Sequence, residues 1–453
     1  MFTIHKDTPI TSKVVQRFLT KHQYELLRLK KLDKAYLGDH EILHLPPKDK
    51  NKPDNRIVNN FAKYIVDTFT GFFNGIPVST TVDNETAQNT IDYFNKLNDA
   101  PSLNYELIKY SAIFGRAFEF MYQNEEADTK SVAINPLNAF VVYDKSVEHN
   151  PVFGVRYELD SDTQELYGEV YTNDTIYSIT GVNLTVDKMT EVTFNPYGQL
   201  PLIEYRFNTE EQGIFENVLT EINNYNKALS EKANDIDYFS DAYLVLAGAE
   251  FDSEDLPQIR DNRLLVLHGS DYESPTPTAQ FLSKPDADTS QENLLNRLER
   301  NIFHTSMVAN ITDEDFGNAS GISLRYKLLS MENLAKTVER QIKRSMLKRY
   351  ELLFSLATNI PTSMKDEYKE INFTFTRNLP TNLLEEADML NKLDGQVSDE
   401  SKLALASFIE NPKEELDRLT EQKEENMKLF DFQKVNEGVE DESEETSGKL
   451  DTE

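Results

Sequence analysis

The most regular apolar pattern in the chain lies between residues 322 and 356. Apolar side chains recur there at steps of three and four residues, the spacing of one face of an α-helix. The repeating positions are Leu324, Leu328, Met331, Ala335, Val338, Ile342 and Met346. A helix over 322–356 is about 52 Å long at ~1.5 Å per residue. Ser320 can cap its start, and Pro361 lies beyond its end. Because a single small protomer offers little surface for such a long helix to pack against, the pattern predicts that the helix takes part in assembly with other subunits.

The first 208 residues change from a helical period to a period of two. A helix is predicted over 12–34, with one face formed by Val15, Phe18, Leu19, Leu26 and Leu29. Ile57, Phe61, Ile65 and Phe72 mark a second helix that ends near 75–77. Two more are predicted over 91–97 and 105–114. Beyond Gly115, alternating segments predict an antiparallel sheet: AFEFMY, AFVVYD, GVRYEL, GEVYTN and TIYSI.

Two helical segments with a β-rich segment between them occupy the middle of the chain. The first helix is predicted over 213–239, and Leu294, Leu298 and Ile302 trace the second. The segments AYLVLAG (242–248) and RLLVLHG (263–269) read as strands, followed by a Pro-rich stretch at 274–285. This order predicts an antiparallel helical stalk that carries a small β unit.

The last part of the chain returns to helices after a strand predicted over 371–376. Leu383, Ala387, Leu390 and Leu393 form one helical face, which Gly395 ends. Ser398 can cap the next helix, and Pro412 opens a segment rich in Glu and Lys. Residues 431–453 lack the apolar content for folding and predict a disordered acidic tail. Taken together, the patterns predict an α+β protein.

Composition adds limits to this picture. The 453 residues allow two or three domain-sized units, and Cys is absent, so neither a disulfide nor a thiolate site can form. Neither a signal peptide nor an apolar run of the ~20 residues needed to cross a bilayer is found, so we expect a soluble intracellular protein without a membrane partner.

The net charge of −31 argues against a protein that grips nucleic acid, because tight binding to a duplex uses Lys and Arg. The tail 431–453 holds nine acidic and two basic residues, a net of −7, which leaves −24 on residues 1–430. The acidity is therefore general. It suits a conduit whose walls repel sliding DNA, and it is equally compatible with solubility alone.

Motifs for catalysis are weak or missing. His40, Glu41 and His44 form HEILH, which fits the HExxH zinc-peptidase pattern. However, Gly38 and Asp39 precede it and two prolines follow it, so a stable helix is not expected. The Walker-type loop and the G-x-S-x-G motif are both absent from the sequence. We therefore expect neither an enzyme nor a bound cofactor or metal, with a HEILH metalloenzyme as the alternative.

The chain resembles the portal proteins of tailed bacteriophages, particularly siphophages of Gram-positive hosts. Five segments carry the resemblance in order and spacing: NRIVNNFAKYIVDTFTGFFNGIPV (55–78), IFGRAFEFMY (113–122), NPYGQLPLIEYRFN (195–208), NASGISLRYKL (318–328) and TRNLPTNLLEEADMLNKL (376–393). Each segment alone is weak evidence, but together they extend the resemblance from about residue 36 to residue 425.

The resemblance implies a domain organisation. It makes residues 1–208, with 368–379, the outward-facing wing. Residues 209–239 and 286–309 become the stem helices, 240–285 the clip, 310–321 the tunnel loop, 322–358 the long helix and 380–430 the crown.

The resemblance also implies a ring of about twelve copies at one capsid vertex of the virion, assembled in the host cytoplasm. The ring would conduct double-stranded DNA. It would bind the terminase large subunit, the major capsid and scaffolding proteins, and a head-completion or adaptor protein. A third interpretation is that the protein is a scaffold or adaptor that forms no ring.

Two groups of residues are candidates for function. In portal proteins the tunnel loop narrows the channel, which assigns Asp313, Glu314, Asp315 and Asn318 to a DNA-facing position, whereas an ordinary connector is the simpler reading. The second group is a basic stripe on the long helix, formed by Lys336, Arg340, Lys343, Arg344 and Lys348. It can pair with a neighbouring subunit, contact phosphates or face solvent.

Overall fold

The computed structural model describes most of the chain. The described residues are 1–49, 52–240, 244–247, 264–267, 278–281, 288–311, 321–378, 383–406, 409 and 411–423. The chain divides into two compact units, residues 1–378 and residues 379–453. No described helix combines the length and the apolar character that crossing a bilayer requires.

The helices of the first unit range from short to very long. They are α1 (Ser12–Leu37), α2 (Phe61–Asn74), α3 (Glu85–Leu97), α4 (Ala100–Phe114), α5 (Leu219–Ser240), α6 (Asp288–Ser306) and α7 (Gly321–Ser355). Local capping groups account for several boundaries. The Thr11 side chain accepts a hydrogen bond from the backbone N–H of Val14 at the start of α1, and Gly38 ends that helix with a φ of 87°.

The strands of the first unit form four sheets. They are β1 (Phe2–Ile4), β2 (Ser79–Thr81), β3 (Arg116–Gln123), β4 (Thr129–Ile134), β5 (Ala139–Asp144), β6 (Pro151–Leu159), β7 (Glu165–Tyr171), β8 (Thr175–Val182), β9 (Thr185–Phe194), β10 (Leu202–Arg206), β11 (Leu244–Ala247), β12 (Leu264–Leu267), β13 (Thr278–Phe281) and β14 (Asn372–Thr374).

The largest sheet has the order β1-β5-β6-β7-β8-β9, and β10-β3-β4 form a second sheet. All their pairs are antiparallel except β1 with β5, which is parallel. The third sheet, β12-β11-β13, has one parallel and one antiparallel pair. The fourth sheet pairs β14 with β2 antiparallel.

The largest sheet lies between α1 and the second sheet. Because side chains alternate along a strand, Phe140 and Val142 of β5 pack in the same core as Phe18 of α1. Val141 of the same strand instead packs with Phe118 of β3. The three layers bury both faces of this part of the sheet, which makes it a rigid support for the helices that follow.

The long helix α7 spans Gly321–Ser355, within one residue of the prediction at each end. The expectation that one protomer offers it little to lie against is wrong. From Leu328 onward, every predicted apolar position is buried in the single chain. The Ser345 hydroxyl also donates a hydrogen bond to the backbone carbonyl of Glu204 at 2.7 Å. The helix is therefore part of the core of its own protomer.

Helices α5 and α6 run antiparallel. Gln291 of α6 donates a hydrogen bond to Asp235 near the end of α5, at 3.0 Å. At the other end of the pair, the ring of Phe61 contacts both Tyr225 of α5 and Phe303 of α6. Of the segment between the two helices, the structure describes only the three strands β11, β12 and β13.

Other predictions need correction. Ile57 precedes α2, because Asn60 caps that helix by accepting a hydrogen bond from the Lys63 N–H at 3.0 Å. AFEFMY forms β3, which belongs to the second sheet and not to the largest one. Strands β1, β2, β4, β9, β10 and β13 were not predicted, and β13 lies within the Pro-rich stretch 274–285. Helix α5 starts at Leu219, after a 3₁₀ turn over Glu216–Val218, and not at residue 213. The strand expected over 371–376 is limited to β14, Asn372–Thr374.

The second unit contains short helices. They are α8 (Leu383–Leu393), α9 (Asp399–Leu403) and α10, which covers residues 412–423. Two predicted boundaries are confirmed. Gly395 follows α8 with a φ of 72°, and the Ser398 side chain caps α9 by accepting from the Ser401 N–H at 3.3 Å. The acidic tail, 431–453, lies outside the described residues.

Candidate functional site

The predicted tunnel loop connects α6 to α7. Asp313, Glu314, Asp315 and Asn318 lie outside the described residues, so their position stays a prediction. The described flank at Ile311 is attached to the first unit, since its backbone N–H donates to the Tyr64 hydroxyl at 3.0 Å. A cavity of about 510 Å³ lies beside this flank, between the end of α6 and the start of α7.

The predicted basic stripe on α7 divides into paired and unpaired cations. Lys336 is 3.6 Å from Glu332, Lys343 is 2.9 Å from Glu339, and Lys348 is 3.0 Å from Glu351. Arg340 and Arg344 are exposed and form no ion pair with any residue that the structure describes. These two arginines are therefore the members of the stripe that remain available to an external partner.

A buried ion pair fixes the C-terminal half of α7 to the second sheet. The Arg349 Nε donates to both carboxylate oxygens of Glu119, at 2.7 and 2.9 Å, and both side chains are 0 % exposed. Arg349 also donates to Asn104 at 2.8 Å, while Tyr205 donates to Glu119 at 2.6 Å. Such a pair is tolerated in a core because its charges are matched and hydrogen-bonded.

This pair was not predicted from the sequence, although the sequence contains a signal for it. Arg349 follows Met346 by three residues and therefore lies on the apolar face of the helix. A charged side chain on such a face needs a buried partner. The alternating strand AFEFMY supplies that partner in Glu119, the charged residue of an otherwise apolar segment.

A second cluster holds α7 near the end of the first unit. Arg377 lies 3.2 Å from Glu332 and 2.6 Å from Glu339, and its guanidinium stands 4.9 Å from the centre of the Phe73 ring. The backbone N–H of the next residue, Asn378, donates to the Phe72 carbonyl at 3.0 Å. The chain is thus attached to both α2 and α7 at the point where the first unit ends.

An extended segment before α2 lies along α5 and is held by side chains of that helix. The backbone N–H groups of Asn55, Ile57 and Asn59 donate hydrogen bonds of 2.6 to 2.9 Å. Their acceptors are, respectively, the side-chain oxygens of Asn234, Ser230 and Asn226. We call this arrangement the α5 ladder.

The α5 ladder depends on matching periods. Four residues of a helix rise ~6.0 Å, and two residues of an extended chain advance ~6.6 Å. Acceptors at every fourth helical residue can therefore meet the N–H of every second extended residue. Asn226, Ser230 and Asn234 are all buried, so they replace water as partners of the backbone.

The HEILH segment does not form the geometry of a zinc peptidase. Its last four residues form a 3₁₀ turn, Glu41–His44, and His40 precedes the turn in extended conformation. His44 bonds to Asp39, and no described group of three or more His, Asp or Glu residues is arranged to hold a metal ion. The pattern therefore lacks the α-helical turn that brings two histidines to one metal.

The described polar contacts hold helices and their neighbouring segments in place. Buried polar contacts fix α7 to the second sheet and hold the extended segment before α2 along α5, and the predicted tunnel loop joins α6 to α7. In the sequence, these contacts are signalled by polar residues that lie on predicted apolar helix faces. No prediction was based on those residues.

Comparison with known sequences places this architecture among proteins of phage capsids. The family described as "Phage portal protein, SPP1 Gp6-like" matches residues 15–429. The portal protein of Clostridium phage phiCD119 is 23 % identical over 366 residues, which cover 76 % of this chain and 79 % of that protein. The portal protein of Bacillus phage SPP1 is 24 % identical over 402 residues, covering 83 % and 77 %.

Among solved structures, a chain from a neck described as "Neck of empty GTA particle computed with C6 symmetry" is similar with a TM-score of 0.45. It is 10 % identical, and the similarity covers 77 % of this chain and 90 % of that chain.

Proposed function

Since this chain belongs to the SPP1 Gp6-like family of phage portal proteins, we propose that its copies close into a ring at one vertex of the capsid. Duplex DNA enters the capsid through this ring during packaging and leaves through it during ejection. The observation that carries the proposal is the family match over residues 15–429, most of the chain. The role is that of a structural channel and not of an enzyme.

The partners follow from that role. The ring, of about twelve copies, docks the terminase large subunit during packaging and a head-completion or adaptor protein afterwards. It contacts the major capsid and scaffolding proteins while the head is assembled in the host cytoplasm. The charge of −31 supports a channel over a gripping binder, because acidic walls do not exchange counterions for phosphates.

The portal domains are proposed on the described elements. The three layers around the largest sheet form the wing, within residues 1–208, and the pairing of β14 with β2 supports adding 368–379 to it. The antiparallel α5 and α6 form the stem, and strands β11, β12 and β13 belong to the clip. The second unit, from residue 379, contains the crown.

The candidate residues receive distinct roles. We assign Asp313, Glu314 and Asp315 of the tunnel loop to the repulsion of phosphates, and Asn318 to the same DNA-facing position. Within the basic stripe, we assign Arg340 and Arg344 to pairing with a neighbouring subunit, because both are exposed and lack an acidic partner among the described residues. Lys336, Lys343 and Lys348 already pair within their own chain and support α7.

The mass of the protein in solution tests this function. A ring of about twelve copies sediments as one species near twelve times 52.1 kDa. Sedimentation velocity of the purified full chain across a range of concentrations measures it. A chain that remains at 52.1 kDa at every concentration contradicts the proposal.

A further inference from the structure

The outer face of α1 is basic in an otherwise acidic protein. Its exposed cations are Lys13, Arg17, Lys21, Lys30, Lys31 and Lys34. Between Lys21 and Lys30, the same face presents Tyr24 and Leu27, which are 73 % and 74 % exposed. We call this surface the α1 face. With a net charge of −31 on the chain, a contiguous basic and apolar surface requires an explanation.

Most cations of the α1 face are not neutralised within the chain. Lys31 pairs with Glu41 at 2.9 Å and Lys34 with Asp39 at 3.2 Å. The others have no acidic partner among the residues that the structure describes. Their attraction is therefore available to a negatively charged partner.

A cavity of about 350 Å³ opens at the C-terminal end of this face, lined in part by Leu27, Lys30 and His40. His40 is 2 % exposed, and neither of its ring nitrogens has a hydrogen-bond partner. Those nitrogens are buried, so a group that enters the cavity meets instead the exposed Lys30, which has no acidic partner among the described residues. The two carboxylates of the lining, Asp39 and Glu41, already pair with Lys34 and Lys31.

We propose that the α1 face docks on an acidic surface of a second copy of this chain, and that a carboxylate of that copy enters the cavity. There the carboxylate pairs with the exposed Lys30. This inference rests on the proposed ring, because a closed ring needs two different surfaces that meet head to tail.

Two features favour a second copy over nucleic acid. A copy that carries −31 charges presents a mostly acidic surface, so it complements the basic α1 face. Tyr24 and Leu27 at the centre of the face provide a patch that a protein partner can cover. A phosphate backbone, in contrast, is bound mainly by cations and polar groups.

Charge reversal tests the proposal in the full chain. The variant Lys21→Glu/Lys30→Glu is compared with Lys96→Glu/Lys145→Glu, which makes the same charge change at exposed lysines outside the α1 face. We expect the first variant to need at least ~10-fold more protein for half-assembly, measured by sedimentation velocity, and the second to assemble like the wild type. Thermal melting monitored by circular dichroism checks that both variants fold.

Zero-length carbodiimide coupling identifies the partner in a mixture of ¹⁵N-labelled and unlabelled copies. We expect cross-links from Lys30 to an Asp or Glu of the differently labelled copy. Equal assembly of both charge-reversal variants would overturn the proposal. So would normal rings of the α1 variant that have lost binding to duplex DNA. A wild-type chain that stays monomeric would overturn the proposed function, and this inference with it.

Discussion

At the scale of single residues, buried charges decide how α7 is held. The Arg349–Glu119 pair is fully buried and shares its hydrogen bonds with Asn104 and Tyr205. A buried pair contributes little net stability compared with apolar residues of the same size, but removing one partner leaves an unmatched charge in the core. The pair therefore fixes the position of α7 more than it adds free energy.

Glu119→Gln should lower the free energy of unfolding by about 3–5 kcal/mol, since it leaves the Arg349 guanidinium buried without its counter-charge. Urea denaturation followed by circular dichroism measures the loss. The matched control, Lys369→Ala, breaks the exposed pair of Lys369 with Asp366 and should cost less than about 1 kcal/mol. A loss below that value for Glu119→Gln would show that the core pair is not formed.

A second buried group, His22, makes stability depend on pH. Its Nε2 lies 3.0 Å from the Pro136 carbonyl, which only accepts, so Nε2–H donates and Nδ1 accepts from the Tyr157 hydroxyl. Burial, together with repulsion from Arg116, lowers the pKa of His22 to about 4. The unfolded chain binds this proton near pH 6.5 and the folded chain only near pH 4, so stability falls as the pH drops between these values.

The expected contribution of His22 is a loss of about 2 kcal/mol in the free energy of unfolding between pH 7.5 and pH 5. Comparison with His22→Gln isolates it, because Gln offers a donor and an acceptor but does not titrate in this range. Urea midpoints of both proteins at both pH values provide the measurement. Identical pH dependence in the two proteins would rule out a neutral, buried His22.

At the scale of elements, the α5 ladder couples an extended segment to a helix. Sequence periodicity misjudged this segment, since Ile57, Phe61 and Ile65 have helical spacing. Asn60 caps the N-terminus of α2, so the helix does not extend back to Ile57. The backbone N–H of Ile57 instead donates to a side chain of α5. The deciding contacts are distant in sequence, so a local pattern could not reveal them.

Asn226→Ala should cost about 1 kcal/mol and speed the exchange of the Asn59 amide proton, because the acceptor of that N–H is lost. Asn224→Ala provides the control. It makes the same substitution on the exposed side of α5 and so gains the same helix propensity. Hydrogen exchange measured residue by residue compares the protection of the Asn59 amide proton in the two variants. Equal protection of Asn59 in both variants would contradict the ladder.

Long elements were more predictable than short ones. The face predicted for α1 is buried at every position named, and α7 differs from its prediction by one residue at each end. Both have several turns of repeated apolar spacing. Strands β4 and β10 were missed because short segments carry weaker periodic signals. The ten-residue β9 was missed because most of its side chains are exposed, so its apolar residues do not alternate regularly. The roles of Arg340 and Arg344 depend on other subunits, which the sequence of one protomer does not specify.

At the level of the whole molecule, we propose that the general acidity of the chain keeps DNA from adhering to the wall of the proposed channel. Replacing Asp313, Glu314 and Asp315 by Lys should add phosphate contacts from every subunit. Rings should still assemble, while packaging slows or stalls and recovers partly as salt is added. A packaging assay at several ionic strengths measures this. Unchanged packaging by fully assembled variant rings would return the loop to an ordinary connector.

The proposed function requires that copies of this chain close into a ring around an open channel. Electron microscopy of the purified full chain tests it most directly, because end-on views give both closure and subunit number. We expect annular particles with a central opening and about twelve equivalent subunits. Single protomers, or open chains that never close, would contradict it.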